Sequence, residues 1–123
     1  MPPKKILFCT DFSENSEPAR ALAVDYAKSF GAQLLILHVI DHKEFPGHID
    51  WAERLHQLLE NVERTANDRL QFMANECAPF MEDVKTFCRT GMSPKEIVDL
   101  ANKESVDLIV VGTHGRTGVK HLV

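Results

Sequence analysis

An open parallel α/β sheet with helices on both faces is the fold this chain predicts. Three observations lead to it. Apolar runs that read as strands alternate with longer amphipathic stretches that read as helices. The order is β-α-β-α-β-α-β, with a further helix just starting, which implies parallel strands joined by right-handed crossovers. The run Leu34-Leu35-Ile36-Leu37 is apolar without alternation, as a strand covered on both faces is. The apolar runs Ile6-Leu7-Phe8-Cys9 and Leu108-Ile109-Val110-Val111 stop at Thr10-Asp11 and at Gly112-Thr113-His114-Gly115, polar or glycine-rich turns of the kind found at ligand-binding sheet edges.

Each element has its own signals. Strand one is read at Lys5–Thr10. The polar stretch Asp11–Ser16 leads into a helix over Glu17–Phe30, with Ser16 as its expected N-cap and Pro18 in its first turn. Ala19, Leu22, Ala23, Tyr26 and Phe30 recur there at helical spacing, and Gly31 supplies the stop. Strand two is Gln33–Ile40, and a loop Asp41–His48 follows. The longest helix spans Ile49–Cys77, with Trp51, Leu55, Leu58, Val62, Ala66, Leu70, Met73 and Cys77 as its apolar stripe. Its other face, which includes Glu63, Arg64, Asp68 and Arg69, reads as solvated. Strand three is Val84–Cys88. Ser93-Pro94-Lys95-Glu96 reads as a capping box opening the third helix, whose apolar face is Ile97, Leu100 and Ala101. Strand four is Asp107–Val111, and a last helix would begin near Gly118.

The composition limits what the chain does. Its 123 residues are one domain's worth, read as a single domain over 1–123, and 44% hydrophobic with 26% charged residues is ordinary for a soluble protein. A formal net charge of −4 argues against a nucleic-acid partner, which needs a dense basic face. No apolar stretch is long enough for a membrane span, and Met1–Lys5 lacks the apolar core of a signal peptide, so a cytoplasmic location is expected. Cys9, Cys77 and Cys88 are odd in number and lack a C-x-x-C spacing. They are expected to be reduced thiols that pack as small hydrophobes. His42, His48 and His56 fit no metal-ligand pattern with Asp41, Glu44 and Asp50, so no protein metal site is expected. A loop over the ligand edge is the reading preferred there.

Ligands of open parallel sheets bind beyond the carboxyl ends of strands, where the strand order reverses. With the order 3-2-1-4 of fold precedent, that point falls between strands one and four. It brings Thr10-Asp11 and Gly112–Gly115 to one edge and suggests a nucleotide site. Strand one ending in Thr10-Asp11, Leu37-His38-Val39-Ile40-Asp41, the Gly91-x-x-Pro94 turn and Asp107–Gly118 together resemble the universal stress protein family over essentially the whole chain.

The resemblance implies an adenine-nucleotide-binding fold of strand order 3-2-1-4-5 and a stress-response regulator that forms a homodimer. The nucleotide, ATP or a relative, would lie against Thr10, Asp11, Val39, Val111, Gly112, His114, Gly115 and Arg116. In these terms Asp11 would receive ribose hydroxyls or help hold nucleotide-bound magnesium; the plainer reading is an Asp capping the next turn. Thr10 and Val39 would flank the base. Gly112 and Gly115 would admit phosphates, and the plainer reading is a tight turn. His114 would donate a hydrogen bond and Arg116 would neutralise charge. His38 is read as a satisfied structural histidine. The family's phosphate pattern, G-x-x-G then nine residues then G-S or G-T, would be completed at positions 125 and 126. A truncated chain lacking the fifth strand is therefore the preferred expectation, a departure from the family's pattern being the alternative.

No Ser/His/Asp or Cys/His arrangement and no paired acids suggest an enzyme, although slow ATP hydrolysis stays open. Two other readings remain: a family member working through protein contacts without nucleotide, and an adenylate-handling enzyme. The latter would carry a basic or histidine-paired first loop, which Asp11–Ser16 is not.

Overall fold

A computed structural model describes residues 2–41, 52–81 and 83–112. The elements follow as β1 (Lys5–Cys9), α1 (Glu17–Phe30), β2 (Gln33–Asp41), α2 (Ala52–Cys77), β3 (Val84–Gly91), α3 (Ser93–Lys103) and β4 (Leu108–Val111). Single 3-10 turns stand at Glu14–Ser16 and Ala78–Phe80. The sheet order is β3-β2-β1-β4, and every neighbouring pair is parallel. The fold class and the reversal between β1 and β4 are as expected. The start of the long helix before Ala52, the histidine-bearing loop and the helix near Gly118 lie outside the described residues.

Strand parity divides the core in two. Ile6 and Phe8 of β1, Leu34 and Ile36 of β2, and Val110 of β4 pack with Ala19, Ala23, Ala27, Leu70, Met73 and Cys77. These residues form the α1/α2 side. Leu7, Cys9, Leu35 and Leu37 face the other way, onto Leu100 and Ala101 of α3. Unbroken apolar runs are what such a sandwiched sheet demands, because consecutive side chains enter different layers.

Four expectations need correction. Helix α1 does not lie on the sheet through Leu22, Tyr26 and Phe30, which are 40%, 38% and 44% exposed. Its sheet face is the alanine row Ala19, Ala23 and Ala27. Methyl-sized side chains let the helix approach the strands, and the bulky residues are left on its flank. In α2, Leu58 is exposed while Ala66, Leu70, Met73 and Cys77 are buried, so only the C-terminal half of the stripe reaches the core. β3 runs on through Arg89 and Thr90 to Gly91, which pairs with Asp41. An edge strand that is half-exposed does not need apolar residues throughout, and composition therefore ended it too early. Finally, neither expected cap forms as read. Ser16 has helical φ and ψ and makes no side-chain cap bond to α1. The N-cap of α3 is Met92, without a side-chain cap, and Ser93 is already the first helical residue.

Candidate functional site

The site begins in the loop after β1. The Thr10 N–H donates to the Leu37 carbonyl at 2.9 Å, extending the pairing of β1 with β2. Thr10 Oγ1 accepts the Phe12 N–H at 2.9 Å and lies 3.2 Å from Ser16 Oγ. Asp11 Oδ1 accepts both the Ser13 N–H, at 2.9 Å, and the Ser13 hydroxyl, at 2.6 Å. The Ser16 hydroxyl donates to the Ser13 carbonyl at 2.8 Å. These are the local side-chain bonds by which Ser, Thr and Asp fix a turn. Asp11 thus caps the next turn, as its plainer reading had it.

Two clefts open at this carboxyl edge, one on each side of the sheet. The α3-side cleft, of about 120 Å³, is lined by Cys9, Thr10, Asp11, Leu37, Val39, Ser93, Ile97, Val111 and Gly112. Five of the sequence-predicted positions, Thr10, Asp11, Val39, Val111 and Gly112, therefore share one cavity. His114, Gly115 and Arg116 lie outside the described residues. Sequence reading missed Cys9, Leu37 and Ile97. The parity of β1 and β2 could have found the first two, since they share the face of Val39. Ser93 belongs to the stretch Thr90 to Ser93 that the sequence offered as a border for the base, with the capping box as its plainer reading. Its N–H and hydroxyl both point to Asp41 Oδ2 in long bonds of 3.4 Å, which tie the start of α3 to the end of β2.

Gly112 has a packing reason to be glycine. A Cβ there would stand 2.8 Å from Ser16 Cα and 3.0 Å from Ser16 Cβ. The close passage of β4's end over the loop before α1 therefore demands glycine whether or not a phosphate is near. Cys9 forms part of the cleft wall, and burial pushes its thiol up to about 12. It is a small apolar surface at neutral pH. Cys77 and Cys88 are likewise free thiols, raised mainly by burial.

The α2-side cleft is larger, about 330 Å³, and Asp11 borders it as well. His38 lines it because residue 38 has the parity of Leu34 and Ile36. Its Nδ1 lies 2.8 Å from the Thr10 carbonyl oxygen, and its ring stacks on Phe12 at 4.3 Å. Nδ1 is thus satisfied within the fold, as expected of a structural histidine, while Nε2 is left on the cleft side. Among the described residues no group of three His, Cys, Asp or Glu side chains could hold a metal ion, and no helix is long and apolar enough to cross a membrane.

Comparison with known proteins agrees with this architecture. The profile of the universal stress protein family matches residues 2–123. The chain is 33% identical over 123 residues to Universal stress protein MJ0531 of Methanocaldococcus jannaschii, a match covering 98% of this chain and 70% of that protein. It is 31% identical over 137 residues to Universal stress protein MJ0577 of the same organism, covering 98% of this chain and 82% of that one. The solved structure of MJ0577 superposes with a TM-score of 0.77, covering 99% of this chain and 82% of its own. A universal stress protein crystallised in complex with cAMP superposes with a TM-score of 0.61 at 25% identity, covering 97% of this chain and 79% of that one.

Proposed function

The chain belongs to the universal stress protein family, and from that premise we propose that it binds ATP or a related adenine nucleotide in the α3-side cleft. The observation that carries the reading is the gathering of Thr10, Asp11, Val39, Val111 and Gly112 around one cavity at the point where the strand order reverses. A relative solved with cAMP supports the same ligand class. A cavity of about 120 Å³ is room for a base and not for a whole nucleotide. The base would enter between Val39 and Ile97. The ribose would face Asp11, and the phosphates would run outward past Gly112; Gly115, His114 and Arg116, outside the described residues, are the further phosphate contacts the sequence proposes. Magnesium would come with the phosphates, Asp11 being the one carboxylate of the predicted set. Such a protein works as a ligand-responsive regulator of stress responses, in the cytoplasm and as a homodimer, and not through rapid turnover.

Calorimetric titration with ATP and with cAMP tests this. Ile97→Trp fills the cleft and should abolish binding. Asp11→Asn keeps an acceptor for Ser13 while losing the charge. It should weaken nucleotide binding about tenfold, the worth of one charge-assisted hydrogen bond, with little change in melting temperature. Undiminished affinity in Ile97→Trp would remove the proposed site, and no affinity in the wild type would favour the reading in which contacts with other proteins carry the function.

A further inference from the structure

The α2-side cleft, of about 330 Å³, is a feature of the carboxyl edge that the nucleotide reading leaves unused. We propose that it is a second binding site, for a small α-hydroxy- or α-amino-carboxylate. The inference does not rest on nucleotide binding, because His38 and Val39 point to opposite sides of the sheet and line different cavities, with Asp11 the one lining residue the two share.

The ligand class follows from the groups that converge there. Asn61, Thr65 and Arg69 stand on successive turns of α2, so one ridge of the helix presents an amide, a hydroxyl and a guanidinium to the cleft. Among the described residues no carboxylate pairs with Arg69, whose guanidinium lies 4.9 Å from the centre of the Phe12 ring. It is placed to hold a carboxylate by its two-pronged face.

Opposite this cation stands His38. Its Nδ1–H donates to the Thr10 carbonyl at 2.8 Å, which fixes the tautomer and leaves Nε2 as an acceptor in the neutral ring. The residue is only 8% exposed, yet among the described residues no buried side-chain nitrogen or oxygen lacks a partner. Nε2, which has no partner among the described residues, therefore reaches solvent, and the cleft that the ring lines is the route. An occupant must bring an N–H or O–H to it. The Asp11 carboxylate at the same wall favours the same donor and repels a second negative charge.

One anionic end and one hydrogen-bond donor a few bonds away describe a hydroxy acid or an amino acid. A phosphate dianion fits the arginine but not the aspartate. A nucleobase would find Phe12 a poor platform, because His38 and Arg69 already lie against its ring. The volume, about 330 Å³, is at the small end of ligand cavities and suits a compact metabolite.

The experiment follows the His38 ring nitrogens by ¹⁵N NMR in the whole chain, titrated with L-lactate, L-serine, acetate and inorganic phosphate. Saturable movement of the Nε2 resonance by lactate or serine is expected in the millimolar range, with acetate weaker because it lacks the donor. Arg69→Gln, a change on the exposed face of α2, should weaken that response about tenfold or more while the circular dichroism spectrum stays the same. Three results overturn the proposal: no saturable shift with either probe, a response that Arg69→Gln leaves intact, or phosphate binding more tightly than both.

Discussion

A Cβ on residue 112 would stand 2.8 Å from Ser16 Cα, closer than two non-bonded carbons approach, and the atom it meets is backbone. Gly112→Ala must therefore displace the loop before α1. It should destabilise the fold by about 1–3 kcal/mol, the usual range for overpacking, read from the urea midpoint without any nucleotide present. A variant as stable as the wild type would show that the loop yields freely. A second residue-scale outcome concerns Cys9. With its thiol pushed up to about 12 by burial, thiolate is scarce at pH 8. Alkylation of the native protein at that pH, mapped by mass spectrometry, should leave Cys9 unmodified until denaturant is added. Fast native labelling would contradict the burial. At this scale Thr10, Asp11 and Gly112 were readable because strand ends and glycine turns are local patterns, whereas Val39 and Val111 came only from the family resemblance. Ser93 was misjudged because Ser-x-x-Glu looks the same whether the serine precedes the helix or begins it, and the backbone of Met92 decided that.

Among the elements, α1 shows how spacing alone can draw a stripe too wide: Ala19 and Ala23 of the expected set reach the sheet, while Leu22, Tyr26 and Phe30 do not. Its apolar residues cover a broad arc, and hydrophobicity favours Leu22, Tyr26 and Phe30 as the buried ones. The row that touches the sheet is instead Ala19, Ala23 and Ala27, which are 5%, 0% and 1% exposed. Arg20 meets Glu76 of α2 at 3.0 Å on its other flank. Ala23→Leu should then cost about 1–3 kcal/mol in thermal unfolding, because the helix cannot rise off the strands without opening the Ile6 and Phe8 layer. By contrast, Tyr26→Ala on the exposed flank should cost well under that. Equal costs for the two would restore the face that spacing suggested.

On the scale of the whole molecule, Asp107 joins the two ends of the described chain. Its carboxylate accepts the Lys4 N–H at 2.7 Å and the Lys5 N–H at 3.0 Å, while its own N–H donates to the Lys5 carbonyl at 2.9 Å. The β1/β4 seam, where the strand order reverses, is pinned there at its foot. These two hydrogen bonds hold the carboxyl below its ordinary 3.8. A depressed carboxyl binds its proton less readily folded than unfolded. Its contribution is present in full above the unfolded value and drains away as the pH falls through the folded one. Asp107→Asn should accordingly lose stability at pH 7 and show a flatter acid limb than the wild type below pH 4. Parallel acid limbs would mean that other carboxylates set the acid sensitivity.

The amino-acid sequence by itself determined the layers of this protein. Unalternating apolar runs require helices on both sides of the sheet, and alternating elements require parallel strands, because both rules act between neighbours along the chain. It also placed much of the α3-side cleft, since residues just past strand ends gather at one edge in any such sheet. Only the tertiary structure decided which face each helix buries, why residue 112 must be glycine, and that the carboxyl edge holds two cavities. Those outcomes depend on distances between residues far apart in sequence. Ser16 meets Gly112, Arg20 meets Glu76, and Arg69 of a face that read as merely solvated meets Phe12 and the cleft beside His38.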